Sequence, residues 1–397
     1  MSILVFNAGS SSIRFSVYRL NPEQQLISGR LERIGESESS LSWGVEGLPE
    51  KKRSLGGVCP DHRQGMRFIL ELIDTEVTGA SDGHNSFAAI AHRVLHGGTE
   101  FMKPTYIDER VMEVIRKYIP LARLHHPACL AGIDACRARF PWLPQVAVFD
   151  TAFHHTIPDY ASSYALPQEL NARYGIRRFG FHGISHQYVA SRSSRFLKRN
   201  LDEMNMIILH LGNGASLTAV EKGRSVDTSM GMSPLQGLVM GSRPGDIDPA
   251  LPILLAREGW SMERYEKMIH HESGLKGLCG SNDVRDIVSR MEKGDEDAER
   301  AMEIYCYRIR KYIGAFLSVV GPVDALVFTG GVGENSAMVR KRCLEGLRWL
   351  GLEMDEEANR NGRPPCGIHR GGSRSAILVI PTNEELEMAI QTEALLN

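Results

Sequence analysis

Three short stretches of this chain are built from residue types that suit phosphate oxygens: Gly9-Ser10-Ser11-Ser12, Gly212-Asn213-Gly214 and Gly330-Gly331-Val332-Gly333-Glu334-Asn335. Turns rich in glycine and serine present backbone N–H groups and hydroxyls without bulky side chains, which is what a phosphate chain needs from a cradle. One such turn alone ordinarily just reverses the backbone. None of the three fits G-x-x-x-x-G-K-[ST], and the first leads into a strand-like segment instead of a helix. That excludes the P-loop and disfavours the dinucleotide-binding fold.

The elements around the turns repeat. Ile3-Leu4-Val5-Phe6 is a short apolar run, followed by the polar turn and then by alternation at Ile13, Phe15 and Val17. This reads as strand, turn, strand. The layout returns at Met206-Ile207-Ile208-Leu209, residues 210–216 and Leu217-Thr218-Ala219-Val220. Other strand-like runs end in small or ionisable residues: 146–149 at Asp150, 326–329 at Gly330, and 377–380 at Pro381. Helical spacing marks 110–119, 297–316 and 337–350. The segment from about Gly35 to Gln64, rich in Ser, Gly and charge, receives no chemistry. The class is α/β, with ligand sites expected at the carboxyl ends of strands. Two strand-turn-strand units a domain length apart predict duplicated domains facing a central cleft, in the actin, sugar-kinase and heat-shock ATPase (ribonuclease H-like) architecture.

Bulk properties narrow the function. At 397 residues, two domains are the default, and 42% hydrophobic with 24% charged residues describes an ordinary globular chain. A net charge of -2 argues against a nucleic-acid partner. Cys59, Cys129, Cys136, Cys279, Cys306, Cys343 and Cys366 include no C-x-x-C pair and read as reduced thiols. With no membrane-spanning run and no signal-like N-terminus, the expected location is the cytoplasm. His182 and His186 stand four apart, but Gly183 and the lack of an H-E-x-x-H glutamate argue against zinc.

The motifs in order resemble one family, the acetate kinases among the short-chain acyl kinases. The likeness runs nearly end to end through NAGSSSIRF (7–15), HRVLHGG (92–98), VFDTAFH (148–154), RRFGFHGISH (177–186) and HLGNGAS (210–216). It continues through SVDTSMGMSPLQGLVMGSRPGDIDP (225–249), SNDVRD (281–286), FTGGVGENS (328–336) and IPTNEELEMA (380–389). The resemblance implies phosphoryl transfer between ATP/ADP and acetate/acetyl phosphate. It also implies an N-terminal domain of residues 1–150 plus 385–397, and a domain of residues 151–384 that binds nucleotide and forms a homodimer.

The same resemblance implies the site. Arg93 and Arg243 are placed on substrate and transition state, where guanidinium forks suit carboxylate and phosphoryl oxygens. His182 is given a hydrogen bond to the phosphoryl group in flight. Asp150 is given acid-base work in the family; acetate, however, is already ionised near pH ~7, so orienting Arg93 or a metal-bound water suits Asp150 better. Asn7 and Glu384 are implied to hold Mg²⁺, with Mn²⁺ as a substitute. Thr382-x-x-Glu385 reads as a capping box opening the last helix. Nucleotide contacts are implied for Ser10, Ser12, Arg14, His210, Leu211, Gly212, Asn213, Gly214, Asp283, Val284, Arg285, Gly331, Val332, Gly333, Glu334 and Asn335. The acyl pocket is implied to be lined by Leu95, Leu124, His125, Phe181 and Pro234.

The chain departs from the family pattern at Arg14 (usually Lys), Arg123 (Pro), His126 (Asn) and Leu95 (Val). The extra methylene of Leu95 takes space, favouring acetate over propionate by about 1 kcal/mol. Propionate kinase, or an actin-like ATPase that is not a kinase, are the alternative readings.

Overall fold

A computed structural model describes residues 2–9, 11–54, 58–78, 87–123 and 125–397. The chain divides into two compact units: Met1–Ala152 with Asn383–Asn397, and Phe153–Thr382.

The first unit is built on an eight-stranded sheet, ordered β5-β4-β3-β2-β1-β6-β8-β7. Its strands are β1 (Ser2–Ala8), β2 (Ser12–Leu20), β3 (Glu23–Glu32), β4 (Ser40–Val45), β5 (Lys51–Ser54), β6 (Phe87–Val94), β7 (Thr105–Tyr106) and β8 (Gln145–Phe149). β1 and β2 form the expected hairpin, while β1, β6 and β8 run parallel. Every residue of β1 and of β8 is buried, as a parallel centre covered on both faces requires. Helices α1 (His62–Ile73), α2 (Glu109–Lys117) and α3 (His126–Arg139) flank the sheet. Asp61 and Asp108 cap α1 and α2 by accepting from Gln64 N and Val111 N. Met66, Ile69, Leu70 and Ile73 of α1 share a core with Phe15, Val17 and Leu31. The uninterpreted Ser/Gly segment supplies β4 and β5, which extend the sheet.

The second unit holds a six-stranded sheet, ordered β11-β10-β9-β12-β14-β13. These are β9 (Met206–Leu211), β10 (Ala215–Glu221), β11 (Arg224–Thr228), β12 (Ala325–Thr329), β13 (Cys366–Gly367) and β14 (Ala376–Val379). β9 and β10 are antiparallel, and β9, β12 and β14 are parallel. The order β11-β10-β9-β12-β14 therefore repeats β3-β2-β1-β6-β8, so the duplication read from the hairpins extends to five strands. The helices that matter below are α4 (Gly183–Leu197), α5 (Val284–Glu292), α6 (Glu296–Val320), α7 (Gly330–Asn335) and α8 (Ala337–Leu344).

The helical periodicities at 110–119 and 297–316 correspond to α2 and α6, with ends shifted by a few residues. The third stops short: α8 ends at Leu344, and Gly346, at φ +78°, turns the chain before a 3₁₀ turn at Arg348–Leu350. The capping box is also displaced. The C-terminal helix Glu384–Leu396 is capped by Asn383, whose side chain accepts from Leu386 N, because Thr382 is engaged by Ser185 and Glu334.

Candidate active site

In the first unit, parallel strands deliver polar side chains from their carboxyl ends. Asn7 closes β1, Arg93 lies near the end of β6 beside Val148 of β8, and Asp150 follows β8 directly. The start of the C-terminal helix meets them. Asn7 Nδ2 donates to Glu384 Oε2 at 3.3 Å and to Glu385 Oε1 at 3.1 Å, and its Oδ1 lies 3.5 Å from Arg93 Nη1. Arg93 Nη2 is bonded to Asp150 Oδ2 at 2.9 Å, with the Asp150 side chain wholly buried. Burial opposes the charge on Arg93, but Asp150 and then Glu384 outweigh it and hold its pKa above the usual value. The carboxyl of Glu384 is pushed up to about 7 by burial, with Asp150 and Glu385 adding and Arg93 and Arg14 opposing. Arg14 stands opposite Asn7 in the β1–β2 ladder, exposed.

Elsewhere in this unit Ser12 is half-buried and closes the first glycine turn, its carbonyl accepting from Gly9 N at 2.8 Å. Leu95 is buried just past β6, and His125 is the half-buried residue preceding α3. Ser10 and Leu124 lie outside the described residues.

In the second unit the strand ends again converge. His210 and Leu211 close β9, and Gly212-Asn213-Gly214 turns the chain into β10. A Cβ on Gly214 would stand 2.8 Å from Arg243 Nη2 and 3.3 Å from His182 Nε2, so a side chain there would displace the end of the guanidinium. The glycine thus marks where an arginine fork and an imidazole edge approach one another. Gly330, at φ +77°, is needed, since a Cβ would strike the Leu211 backbone at 2.7 Å. The third glycine stretch is the short helix α7, set directly on the end of β12, and not an open turn. Glu334 faces inward, accepting from Gly330 N at 2.9 Å and Thr382 N at 3.1 Å, and Asn335 Nδ2 donates to the Gly331 carbonyl. Gly331 is exposed, Val332 half-buried and Gly333 buried.

Asn282 Nδ2 donates to Asn213 Oδ1 at 3.3 Å, bringing the 283–285 segment to the β9–β10 turn. Asp283 caps α5 through Arg285 N and forms a fork with Arg285 at 2.7 and 3.0 Å; Val284 is buried beneath them. The implied nucleotide segments of this unit are therefore neighbours. Pro234 presents its carbonyl to Arg243 Nη1 at 2.6 Å, and Phe181, buried, gives its carbonyl to His154 Nε2.

His182 holds a left-handed backbone, φ +56°, as the residue preceding α4. Few residues other than Gly adopt that conformation, although His, like Asn and Asp, does so more readily than most. Its ring stacks on His210, with centroids 4.3 Å apart. Behind the two imidazoles run hydroxyl links that spacing did not reveal: Ser216 to His182 and His186, and Ser185 to His210 and Thr382. Glu385 on Asn7, and His62 on the Gly9 carbonyl at 2.8 Å, were equally unmarked. The alternation of β10, which turns Ser216 inward, was the one signal available for any of them.

The fold is a pair of duplicated actin-like domains. The profile of the Acetokinase family matches residues 2–390. The acetate kinase of Nitratidesulfovibrio vulgaris (strain Miyazaki F) is 47% identical over 402 residues, covering 100% of this chain and 99% of that protein. The crystal structure of Porphyromonas gingivalis acetate kinase superposes with a TM-score of 0.92 at 36% identity, covering 100% of both chains. A structure titled as a propionate kinase, from Francisella tularensis subsp. tularensis SCHU S4, gives 0.91 at 40% identity, covering 98% of each. The chain belongs to the acetokinase family, whose members are phosphotransferases using ATP/ADP.

Proposed function

We propose that the protein transfers the γ-phosphoryl group of ATP to acetate, reversibly and with Mg²⁺, giving ADP and acetyl phosphate. The observation that carries this reading is Arg243. Its guanidinium is half-buried beside Gly214 and His182, and burial alone pushes its pKa down to about 10. Among the described residues it bonds only the Pro234 carbonyl and has no carboxylate partner. A desolvated cation left without a counter-charge is a place prepared for an anion.

The barrier to be lowered is the repulsion between two anions, a carboxylate and the γ-phosphate. Acetate is ionised near pH ~7, so the nucleophile needs no general base. Arg93, fixed by Asp150, receives the carboxylate; Arg243 and the His182 N–H meet the charge on the transferring oxygens. The segments at 210–214, 283–285 and 331–335 hold the nucleotide. Asn7 and Glu384 offer hard oxygen donors, and burial raises the Glu384 carboxyl even with Arg93 and Arg14 opposing. Among the described residues no group of three or more His, Cys, Asp or Glu could hold a metal. That donor set fits Mg²⁺, which takes the rest of its shell from water and phosphate. When bound, the ion neutralises β- and γ-phosphate oxygens.

Propionate is the competing substrate, given the likeness to the Francisella structure, and buried Leu95 is the residue set against it. Hydroxamate trapping tests the reading: purified protein with ATP, Mg²⁺ and acetate is expected to accumulate an acyl phosphate. ATP hydrolysis without acyl phosphate from acetate, propionate or formate would identify an actin-like ATPase instead.

The likeness to the family favours a homodimer through the second unit, where Tyr160, Tyr174, Ile253, Leu254 and Met262 are among the exposed apolar residues, as Leu48, Val58, Met102, Tyr106 and Trp142 are in the first. Sedimentation of Leu254→Asp against the unaltered protein tests it; a monomer in both would refute it. Seven free cysteines, six of them buried, suit the cytoplasm, and no helix among the described residues is long and apolar enough to cross a membrane.

A further inference from the structure

We propose that Ser216 and His186 are positioning residues that fix His182 as the neutral tautomer carrying its proton on Nε2. The inference rests on the assignment of His182 to the transferring phosphoryl group and names the machinery behind it.

Ser216 Oγ stands 2.9 Å from His182 Nδ1 and 2.8 Å from His186 Nε2. Ser216 and His186 are both wholly buried. The hydroxyl owns one proton, and among the described residues its oxygen bonds only these two rings; accepting from both would leave that buried proton unused, so it donates to one imidazole and accepts from the other. Two arrangements satisfy the distances. In the first, Ser216 donates to His182 Nδ1, and His186 Nε2–H donates to Ser216. In the second, Ser216 donates to His186 Nε2, and His182 Nδ1–H donates to Ser216.

His186 decides between them. Its Nδ1 is buried without a hydrogen-bond partner. His154 cannot serve it, because both ring nitrogens of His154 are engaged, by Ser225 Oγ and the Phe181 carbonyl. Burial, with His154 and His210 nearby, holds the pKa of His186 well below the usual value, so it carries a single ring proton. The second arrangement puts that proton on Nδ1 and buries an N–H with nothing to accept it. The first leaves only a bare lone pair. Orphaned buried N–H groups are rarer than under-used acceptors, so the first arrangement stands.

The consequence falls on the reacting face. The Nε2 edge of His182 is the one turned toward Gly214 and Arg243. With Nδ1 receiving the Ser216 proton, Nε2 keeps its own and points a donor, not a lone pair, at an anion bound there. A phosphoryl oxygen is then met by a preset N–H with no proton transfer required.

The test reads the proton directly. In full-length protein labelled with heavy nitrogen at histidine, the spectrum of His182 is expected to show a bare Nδ1 and a protonated Nε2. Ser216→Ala removes the donor, and the two tautomers should then mix. In that variant kcat should fall roughly ten- to a hundredfold, the range for losing the partner that orients a working imidazole, with KM for ATP and acid nearly unchanged. Ser216→Thr restores the hydroxyl and should restore both signals. A protonated Nδ1 in the unaltered protein overturns the proposal, as does a Ser216→Ala enzyme with unchanged tautomer and kcat. Should that variant fail to fold, the spectrum of the unaltered protein decides. Because the spectrum reads the same proton whether or not acyl phosphate forms, failure of the kinase reading would appear separately, in hydroxamate trapping.

Discussion

Replacing Asp150 by asparagine separates two roles that a carboxylate at this point could have. If Asp150 orients Arg93, the variant keeps an oxygen 2.9 Å from Nη2 but loses the charge that holds the fork. A hydrogen bond to a charged group is worth about 1.5–3 kcal/mol in all, so the loss of its anionic side should lower kcat/KM for acetate by at most roughly ten- to 150-fold, while the pH profile keeps its shape. Alanine removes the acceptor as well. A buried pair broken on one side costs about 3–5 kcal/mol, so Asp150→Ala should lose more activity and melt lower than Asp150→Asn. Initial rates by hydroxamate trapping, taken across pH with saturating ATP, distinguish the outcomes. A loss of about a thousandfold or more in Asp150→Asn, together with disappearance of the acidic limb of the profile, would show proton transfer by Asp150 and refute the positioning argument.

Other outcomes follow from the same geometry. Arg243→Ala should lower kcat by roughly a thousandfold or more with the fold intact, and Arg243→Lys should recover only part of it because the planar fork is gone; turnover near normal in either would remove Arg243 from the mechanism. Glu384→Ala should abolish Mg²⁺-dependent turnover while leaving the melting temperature close to that of the unaltered protein; retained activity at ordinary Mg²⁺ would exclude it as a ligand. Leu95→Val should raise kcat/KM for propionate relative to acetate by roughly four- to tenfold, and an unchanged ratio would place the pocket wall elsewhere. Acid stability has a defined sign: burial, aided by Arg137 and opposed by Gln145, pushes buried His92 down to about 4. The unfolded chain therefore takes up that proton first, and about 3 kcal/mol of stability should drain away as pH falls from about 6.5 to 4. His92→Gln should flatten that part of the melting curve against pH; an equally steep curve would assign the loss to other groups.

The strands at 3–6, 146–149, 206–209, 326–329 and 377–380 were legible because central parallel strands are apolar along their whole length. β4 and β5 were not: the edge strand β5 opens on Lys51-Lys52-Arg53, a composition it shares with a loop, and β4, although Leu41, Ser42 and Trp43 are buried, is a short Ser- and Gly-containing run. Arg93 and Arg243 could be named only by resemblance. What distinguishes them, one paired with Asp150 and the other without a carboxylate among the described residues, depends on contacts 57 residues apart in sequence or on none. The hydroxyl links through Ser185 and Ser216 were invisible for the same reason. Thr382 misled the cap assignment because its backbone N–H is held by Glu334, a residue 48 positions away.

At the centre of the account is a carboxylate oxygen attacking phosphorus directly, with fixed guanidinium forks offsetting the repulsion. Acetate labelled with heavy oxygen in its carboxylate tests this most directly: after turnover with unlabelled ATP, the product is cleaved at carbon with hydroxylamine and the released phosphate is weighed by mass spectrometry. Phosphate carrying one labelled oxygen from acetate is the expected result. Unlabelled phosphate, formed at the same rate with or without acetate, would mean that water is the nucleophile and would contradict the account.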